Sequence, residues 1–190
     1  GRVVTIAGTA GATGAQDGAG AAPTFTSPSG LAFDANGVLY IADRGASVIR
    51  RMDAAGNVTT LAGSAFQFGD ADGVGAAARF WAVSHVAVDP SGNVYATDGS
   101  VHGRVRRITP AGAVTTVIPG DSQHDNRGIA IDEAGALYIA DLRNDTIRKV
   151  PSGGTATTIV GTAGQETFEP GTLPGRIASP NTLADRGTNL

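Results

Sequence analysis

The amino-acid sequence predicts an all-β chain built from repeated units of four short strands. A phrase of two alternating apolar strands joined by a glycine turn occurs three times along the chain. The 190 residues include 28 glycines and 9 prolines, which is a large supply of turn-forming residues. Many short strands separated by such turns are typical of all-β proteins.

The repeated phrase has the pattern of a hairpin that ends on an aspartate. Its three copies cover residues 31–43, 86–98 and 129–141. The alternation of apolar residues has the period of a β-strand, and the glycine within each copy suits a tight turn. An aspartate also opens each turn, and its side chain is expected to accept hydrogen bonds from turn amides. These turn aspartates are Asp34, Asp89 and Asp132.

Two more strands follow each hairpin, joined by a turn whose glycine supplies a positive φ at little cost. The first is rich in arginine and covers residues 47–53, 104–109 and 146–150. The second carries paired threonines and covers residues 56–63, 112–117 and 154–161. The complete units are therefore predicted over residues 31–62, 86–118 and 129–160. Single terminal strands are predicted at residues 2–7 and 179–190.

The spacing of the units is that of propeller blades. The turn aspartates lie 55 residues apart from Asp34 to Asp89 and 43 apart from Asp89 to Asp132. Propeller blades repeat at roughly 40–50 residues, so the shorter interval fits directly. The longer interval contains an additional loop, which itself recurs at residues 17–25 and 72–80. The sequence therefore predicts a β-propeller of four-stranded antiparallel blades.

These segments also resemble a known repeat. The phrases at residues 27–34, 37–43, 49–51 and 56–63 together resemble the NHL repeat, and the loop Asp-Gly-x-Gly-x-Ala-Ala-x-x-Phe is similar to that of bacterial, teneurin-like NHL proteins. The resemblance covers nearly the whole chain and implies blades arranged around a central channel. NHL propellers are mostly interaction platforms, with some lyases, hydrolases and RNA binders among their relatives. The resemblance therefore implies no particular reaction.

The number of predicted blades is too small for a closed ring and leaves two ways of completing it. Closed propellers usually have about 4–8 blades, and this sequence contains three complete units with partial strands at its ends. The chain begins at Gly1 rather than methionine, so we expect a processed protein or a piece of a longer one. Either the units are about half of a larger propeller, or a second copy completes the ring. Exposed blade edges attract other strands, which predicts self-association or pairing with a protein partner.

Composition excludes several classes of function. The 14 basic and 17 acidic residues give a net charge of −3, so neither nucleic acid nor an anionic membrane is an expected partner. No apolar run approaches the length of a membrane span. The chain has no cysteine, which excludes disulfides and thiolate metal sites. Together with the resemblance, this fits a secreted or cell-surface protein, although a cytoplasmic location is also compatible.

Charged residues that recur in every unit are expected to be structural. An aspartate ends the second strand of each unit, at Asp43, Asp98 and Asp141. An arginine lies on each third strand, at Arg50, Arg106 and Arg148. Catalysis normally needs a unique constellation of groups, whereas a repeated pair is suited to holding each blade together.

The three histidines do not recur, which makes them better candidates for chemistry. His85 takes the position that Gly30 and Gly128 hold in the other units, at the start of the innermost strand near the channel mouth. His102 and His124 lie in loops. The resemblance adds that some lyases of this fold hold a metal with channel histidines, but the spacing here matches no recognised zinc motif. We therefore expect no metal, no cofactor and no catalytic residue.

The expected binding surface is the face formed by the long loops between units. Phe25 and Phe80 recur, so they are expected to pack between blades. Aromatic and arginine side chains that occur once are better contacts, since these residue types dominate binding hot spots. The predicted binding residues are Phe66, Phe68, Arg79, Trp81, His85 and Arg127.

The leading functional prediction is a non-enzymatic scaffold that binds a protein partner. The resemblance to bacterial NHL proteins implies that this scaffold lies at the bacterial cell surface. One alternative is a lyase- or lactonase-like enzyme at the channel mouth with a metal near His85. The other is a propeller that binds carbohydrate on its aromatic loops, which makes a glycan a possible partner.

Overall fold

The computed structural model of the chain describes residues 1–99, 103–164 and 177–183. The described strands form three antiparallel sheets, numbered here as blades 1, 2 and 3. The prediction of an all-β fold with four-stranded antiparallel units is confirmed. Among the described residues the helical content is one 3-10 turn at Gly75–Ala77, and no helix has the length and apolar character needed to cross a membrane.

Blade 1 consists of four strands and a short fifth strand at its outer edge. In chain order these are β1 (Gly18–Ala19), β2 (Pro28–Phe33), β3 (Leu39–Asp43), β4 (Val48–Met52) and β5 (Asn57–Ala62). They pair in the order β1-β5-β4-β3-β2, so β2 is the inner strand of the blade. The fifth strand was not expected, because two residues are too few to give a periodic pattern.

Blade 2 repeats this arrangement, and blade 3 lacks the outer fifth strand among the described residues. The strands of blade 2 are β6 (Gly73–Val74), β7 (Val83–Val88), β8 (Val94–Asp98), β9 (Arg104–Ile108) and β10 (Ala113–Ile118). Those of blade 3 are β11 (Asn126–Ile131), β12 (Leu137–Asp141), β13 (Thr146–Val150) and β14 (Thr157–Val160). Their orders are β6-β10-β9-β8-β7 and β11-β12-β13-β14.

The apolar core lies between neighbouring blades. Blades 1 and 2 share a buried cluster that includes Tyr40, Ile49, Phe80, Val86, Val94 and Ile108. Blades 2 and 3 share another that includes Ala87, Val105, Ile129, Ile131 and Ile139. A sheet covered on both faces is apolar on both faces, which explains the near-continuous apolar strands. The uncovered face of blade 1 shows the contrast: Leu31 is 62% exposed, whereas Ile129 at the same position in blade 3 is 3% exposed.

The terminal strand expected at residues 2–7 does not form, and that prediction is wrong. A strand needs a neighbour for its backbone hydrogen bonds, and residues 2–7 pair with no strand among the described residues. The segment still follows the path of an outer strand. The Gly8 amide donates to the Gly20 carbonyl at 2.9 Å, as the Gly63 amide donates to the Gly75 carbonyl at 3.1 Å.

The C-terminal segment lies where a further inner strand would begin. A Cβ placed on Gly128 would be 2.8 Å from the Thr182 Cα, and one on Gly30 would be 2.6 Å from the His85 Cα. Both glycines therefore permit close approach of the next unit. The segment before residue 184 nevertheless forms no strand.

Two sequence predictions fall partly or wholly outside the described residues. The terminal strand predicted at residues 179–190 is described up to residue 183 and has no strand there. Residues 184–190 lie outside the description, as does His102.

An aspartate clasp fastens the long loop to the outer edge of blade 1. We define the clasp as a loop aspartate, the arginine of the third strand and a threonine of the fourth. Asp17 accepts hydrogen bonds from the Arg50 guanidinium at 2.9 Å, the Thr60 amide at 3.1 Å and the Thr60 hydroxyl at 2.9 Å. Charge-assisted bonds of this kind are stronger than neutral ones. The clasp therefore holds β1 against β5.

The same clasp recurs in blade 2. Asp72 accepts from the Arg106 guanidinium at 2.8 Å and from the Thr116 amide and hydroxyl, both at 3.0 Å. Arg106 is fully buried and also pairs with the buried Asp98 at 3.0 Å. Burial opposes ionisation of Asp72, but the bonds from Thr116 and Arg106 outweigh it, so the pKa of Asp72 lies below its usual value.

The clasp predicts a stability difference between two neighbouring aspartates. Asp72→Asn is expected to lower the free energy of unfolding by about 1–3 kcal/mol, because it weakens bonds to a buried arginine. Asp70→Asn is the matched control, since Asp70 pairs with Arg104 at 2.9 Å through a carboxylate that is 57% exposed, and loss of such a surface pair costs about 0–1 kcal/mol. Urea unfolding of the two variants measures the difference, and equal losses would contradict the clasp.

The difference between the parent chain and Asp72→Asn also depends on pH. The folded pKa of Asp72 is depressed, so its contribution to stability is complete above the unfolded value of about 3.9 and is lost as the pH falls through the folded value. Unfolding curves recorded across this range should converge at low pH. A difference that grows on acidification would contradict the assignment.

Candidate functional site

The predicted binding residues all lie at one end of the blades, which we call the loop face. It is the end at which the inner strands begin and the long loops cross between blades. His85 lies at the start of β7 and Arg127 at the start of β11. The other four residues belong to the loop between β5 and β7. That they bind a ligand remains a prediction.

Three aromatic side chains of this loop are about half exposed: Phe66 and Phe68 at 52% and Trp81 at 49%. The backbone holds them together. The Phe66 amide donates to the Ala46 carbonyl at 3.0 Å, and the hydroxyl of Ser47 donates to the Trp81 carbonyl at 2.9 Å. Phe66 and Trp81 are therefore fastened to adjacent residues of one turn.

Phe68 joins the same group through the end of the loop. It forms an isolated parallel bridge with Phe80, the residue that precedes Trp81. The Gly69 amide also donates to the Phe80 carbonyl at 3.2 Å. We call Phe66, Phe68 and Trp81 the aromatic surface. Exposed large aromatic residues held in one place are the usual anchors of a protein interface.

The two long loops of the chain share one backbone conformation and differ in the side chains at the positions of the aromatic surface. The first loop, residues 8–27, has the same length as the second loop, residues 63–82. Its hydrogen bonds match those of the second: the Gly14 amide donates to the Phe25 carbonyl at 3.4 Å, as the Gly69 amide donates to the Phe80 carbonyl. At the positions of the three aromatic residues it carries small ones instead. These are Gly11, Thr13 and Thr26.

Phe66 occupies a backbone conformation that is unfavourable for its residue type. Its φ is +62°, and Gly11 has a φ of +82° at the same position of the first loop. Bulky residues rarely adopt a positive φ, which costs on the order of 1–3 kcal/mol. The second loop therefore keeps a strained aromatic residue where the first has a glycine. Such strain is concentrated at functional sites.

Arg79 positions the loop rather than presenting a free charge. Its guanidinium donates to the carbonyl of Ala78 at 2.8 Å and to the side chain of Gln67 at 2.9 Å. A third bond reaches the Ala76 carbonyl. Because Gln67 lies between Phe66 and Phe68, Arg79 braces the aromatic surface from behind.

Phe80, which was expected to pack between blades, is fully buried between blades 1 and 2. The Arg106 guanidinium lies over its ring, 5.0 Å from the ring centre. Phe25 receives Arg50 in the same way at 5.2 Å. Phe80 therefore packs between blades, as the sequence predicted. Phe25 is partly exposed, and no blade precedes it among the described residues, so that part of the prediction stays open.

The recurring aspartates at the ends of the second strands are also structural. Asp43 accepts from the amides of Thr26 and Ser27, and Asp98 accepts from the amides of Trp81 and Ala82. Asp141 accepts from the amide of Asp125. Each aspartate thus fixes the chain where it enters an inner strand. In blade 2 this contact places Trp81.

His85 is half-buried at the rim of the inner surface. Burial lowers its pKa, and the positive charge of Arg127 lowers it further, against a hydrogen bond to the Arg127 backbone that raises it. Its Nδ1 has no hydrogen-bond partner among the described residues. The imidazole is therefore neutral at neutral pH and retains a capacity for one more hydrogen bond.

Blade 2 differs from the other two blades at two neighbouring positions, His85 and Thr97. Thr97 stands where blades 1 and 3 have Ala42 and Ala140. Its hydroxyl accepts from the His85 amide at 3.1 Å and donates to the Arg127 carbonyl at 2.8 Å. The histidine and the threonine together connect blade 2 to blade 3.

The remaining histidine for which contacts are described does not join His85. His124 Nδ1 lies 2.8 Å from a carboxylate oxygen of Asp121 in the link between blades 2 and 3. Within residues 1–99, 103–164 and 177–183, no group of three or more histidine, aspartate or glutamate side chains could hold a metal ion.

The inner strands line a groove of ≈350 Å³ along the axis of the blades. Its described lining carries no ionisable side chain and consists of Leu31, Ala32, Phe33, Val86, Ala87, Val88, Ile129, Ala130, Ile131 and Leu183. General acid–base catalysis needs a titratable group within hydrogen-bond reach of the substrate. The part of the wall that the structure describes offers none, and His85 and Arg127 lie at its rim.

Comparison with known proteins gives one relative in sequence. No protein-family model matches the chain. It is 31% identical over 149 residues to the protein SUPPRESSOR OF QUENCHING 1, chloroplastic, of Arabidopsis thaliana. The match covers 67% of this chain and 14% of that protein. This chain therefore spans a small part of the relative's length.

Solved structures establish the fold. An auxiliary nutrient binding protein from Bacteroides thetaiotaomicron has a TM-score of 0.61 and 18% identity, covering 85% of this chain and 43% of its own. A streptogramin B lyase has a TM-score of 0.59 and 17% identity, covering 82% of this chain and 43% of its own. Both are propeller proteins. The chain has a β-propeller repeat fold.

At these identities the likeness concerns the fold alone, and the chain spans less than half of either structure. Within the propeller, the groove corresponds to the wall of the central channel, and the loop face surrounds one of its ends. The aromatic surface and His85 therefore share one end of the propeller. The sequence-based list did not include Thr97 or Gln67, which support these residues, because short polar residues in a strand or loop give no distinct pattern.

His85 is expected to titrate below the ordinary histidine value of about 6.5, because burial disfavours the imidazolium. Proton NMR of the imidazole signal across pH 4–8 measures this, with His85→Gln used to assign the signal. Since the unfolded chain then binds the proton more tightly, His85 reduces stability as the pH falls below about 6.5. A titration midpoint above that value would contradict the assignment.

Proposed function

We propose that this chain is an NHL-type propeller module that binds a protein partner through the aromatic surface and catalyses no reaction. The observation that carries the proposal is the replacement of three small residues of the first loop by Phe66, Phe68 and Trp81 on the same backbone. These side chains are about half exposed and one is strained, which the blade itself does not require.

The physical argument rests on the cost of such residues. Exposed aromatic side chains gain little stability for the folded chain and favour association, so they are enriched in interfaces. The bracing of the loop by Arg79 limits the conformational entropy that binding would cost. His85 and Arg127 at the same end extend the proposed surface toward the channel.

The alternative enzyme, lyase- or lactonase-like, would centre on His85. Among residues 1–99, 103–164 and 177–183, the groove wall supplies no acid or base, which supports the binding role. Elemental analysis of the purified protein tests this alternative: a stoichiometric metal that is lost in His85→Ala would favour the enzyme.

The proposal includes an exported or cell-surface location, which fractionation of the source cells tests.

The aromatic surface predicts that binding and stability separate in Trp81→Thr. This variant carries the first-loop residue on the same backbone, so its unfolding curve should stay close to the parent's. Partners recovered on the immobilised chain from an extract of the source cells should bind it at least about tenfold more weakly, as expected for a hot-spot residue.

Val74→Thr is the control, because Val74 is also exposed but lies on the short outer strand of blade 2. A partner that binds both variants equally well would overturn the proposed surface. A parallel glycan array tests the carbohydrate alternative, which would be favoured by a Trp81-dependent glycan signal without any protein partner.

Phe66→Gly gives an independent check of the strain. Removal of a partly buried phenylalanine usually destabilises, but here the positive φ suits glycine. We expect the free energy of unfolding to stay within about 1 kcal/mol of the parent's while partner binding falls. A large loss of stability, measured by urea unfolding, would show that Phe66 is needed for the loop itself.

A further inference from the structure

The outer edge of blade 3 repeats the socket that binds a loop aspartate in blades 1 and 2. Arg148 pairs in register with Thr158 across β13 and β14. The same register joins the arginine and threonine of the clasps, Arg50 with Thr60 and Arg106 with Thr116. Blade 3 therefore has the guanidinium and the threonine of the clasp in the same relative places.

The loop that would supply the aspartate is too short in blade 3. The link between β10 and β11 covers residues 119–125, whereas the one between β5 and β7 covers residues 63–82. A seven-residue link cannot cross the blade to its outer strand and return. Among the described residues, no carboxylate bonds Thr158 and no strand pairs with the outer edge of β14.

Arg148 is correspondingly short of partners. Its side chain is 11% exposed, yet its hydrogen bonding among the described residues is limited to Asn126 Oδ1 at 2.9 Å. Asp141 lies 3.7 Å from its Nε, and this Nε has no hydrogen-bond partner among the described residues, as is also the case in Arg50 and Arg106. Arg106, by contrast, bonds two aspartates and two carbonyls. A nearly buried guanidinium with unused donors favours a carboxylate ligand.

In blades 1 and 2 the aspartate brings a strand with it. Directly after Asp17, β1 pairs antiparallel with β5, and directly after Asp72, β6 pairs antiparallel with β10. In each case the residue that follows the aspartate is glycine. These internal segments show what chemistry the socket accepts: an aspartate followed by a short extended stretch.

We propose that the outer edge of blade 3 binds an acidic extended peptide of a partner protein, with an Asp-Gly sequence at the contact. The peptide carboxylate bonds Arg148 and the amide and hydroxyl of Thr158. The two residues after it pair with Ala156 and Thr155, which hold the places of Val58 and Asn57 in blade 1. This is strand addition at an open sheet edge, in which backbone bonds give affinity and one side-chain socket gives specificity.

This site is separate from the aromatic surface, because it lies on the outer edge of blade 3 and not on the loop between blades 1 and 2. Loss of either site leaves the other unchanged. The two proposals can therefore be tested and rejected independently.

The test uses the full 190-residue chain and a synthetic peptide with the sequence of residues 69–75, which contains Asp72 and β6. With isotope-labelled protein, NMR titration should shift the amide signals of residues 155–158 and the Nε signal of Arg148. A second peptide with asparagine at the Asp72 position should bind about tenfold more weakly, since it loses the charged bonds. This comparison changes only the peptide, so it is independent of the folding of any variant.

Protein variants locate the contact. Arg148→Gln and Thr158→Val should each weaken binding of the aspartate peptide by about tenfold. Arg143→Gln and Thr157→Val are the matched controls, because Arg143 is exposed in the β12–β13 turn and Thr157 adjoins Thr158 in β14. These controls should bind like the parent.

Three outcomes would overturn the proposal. Absence of shifts, shifts confined to other blades, and equal binding of the aspartate and asparagine peptides would each reject it. If Arg148→Gln fails to fold, the pair Thr158→Val and Thr157→Val decides the location with the same titration.

Discussion

A buried arginine on the third strand is the interaction on which the first two blades depend. Arg50 and Arg106 lie fully buried, where an unpaired charge would be very costly. Each is neutralised by an aspartate from the preceding loop and stacks on a phenylalanine of the same loop. The charge thus recruits the loop, and the loop covers the outer edge of the blade. An edge covered in this way cannot pair with another chain.

The loop in turn determines what the propeller presents at its loop face. The second loop is fixed at Asp72 by the clasp and at Trp81 and Ala82 by the aspartate at the end of the second strand. The part before the clasp carries Gly11 and Thr13 in the first loop and Phe66 and Phe68 in the second. The functional proposal therefore depends on the structural one, because a loop that was not anchored could not hold strained aromatic residues in place.

The sequence predicted the blades well because each strand was supported by three copies of the same pattern. The strands of the hairpins, the arginine strands and the threonine strands all lie in register with one another. The prediction failed at residues 2–7, where the alternating pattern is present but no strand in the described part of the chain pairs with it. It also missed β1 and β6, since a two-residue strand is set by the clasp at Asp17 and Asp72 and leaves no periodicity to read.

The candidate site was harder to predict than the fold. Phe66, Phe68 and Trp81 could be chosen as contact candidates because each occurs in one unit only. The attachment of Phe66 and Trp81 to the turn at Ala46 and Ser47 depends on contacts between residues far apart in sequence. For Arg79 the residue type suggested a binding contact, and the structure gives its guanidinium backbone carbonyls of the loop as partners. A single sequence carries no signal for such local bonds.

The matching backbones of the two long loops have a consequence for how such a protein can diverge. Anchoring groups and displayed groups occupy different positions, so substitutions at the displayed positions leave the frame untouched. Recognition can then change one residue at a time without passing through an unfolded intermediate sequence. The blade then supplies a constant framework, and the exposed loop residues determine what is bound. The range of possible ligands is limited by the side chains that fit the few exposed loop positions.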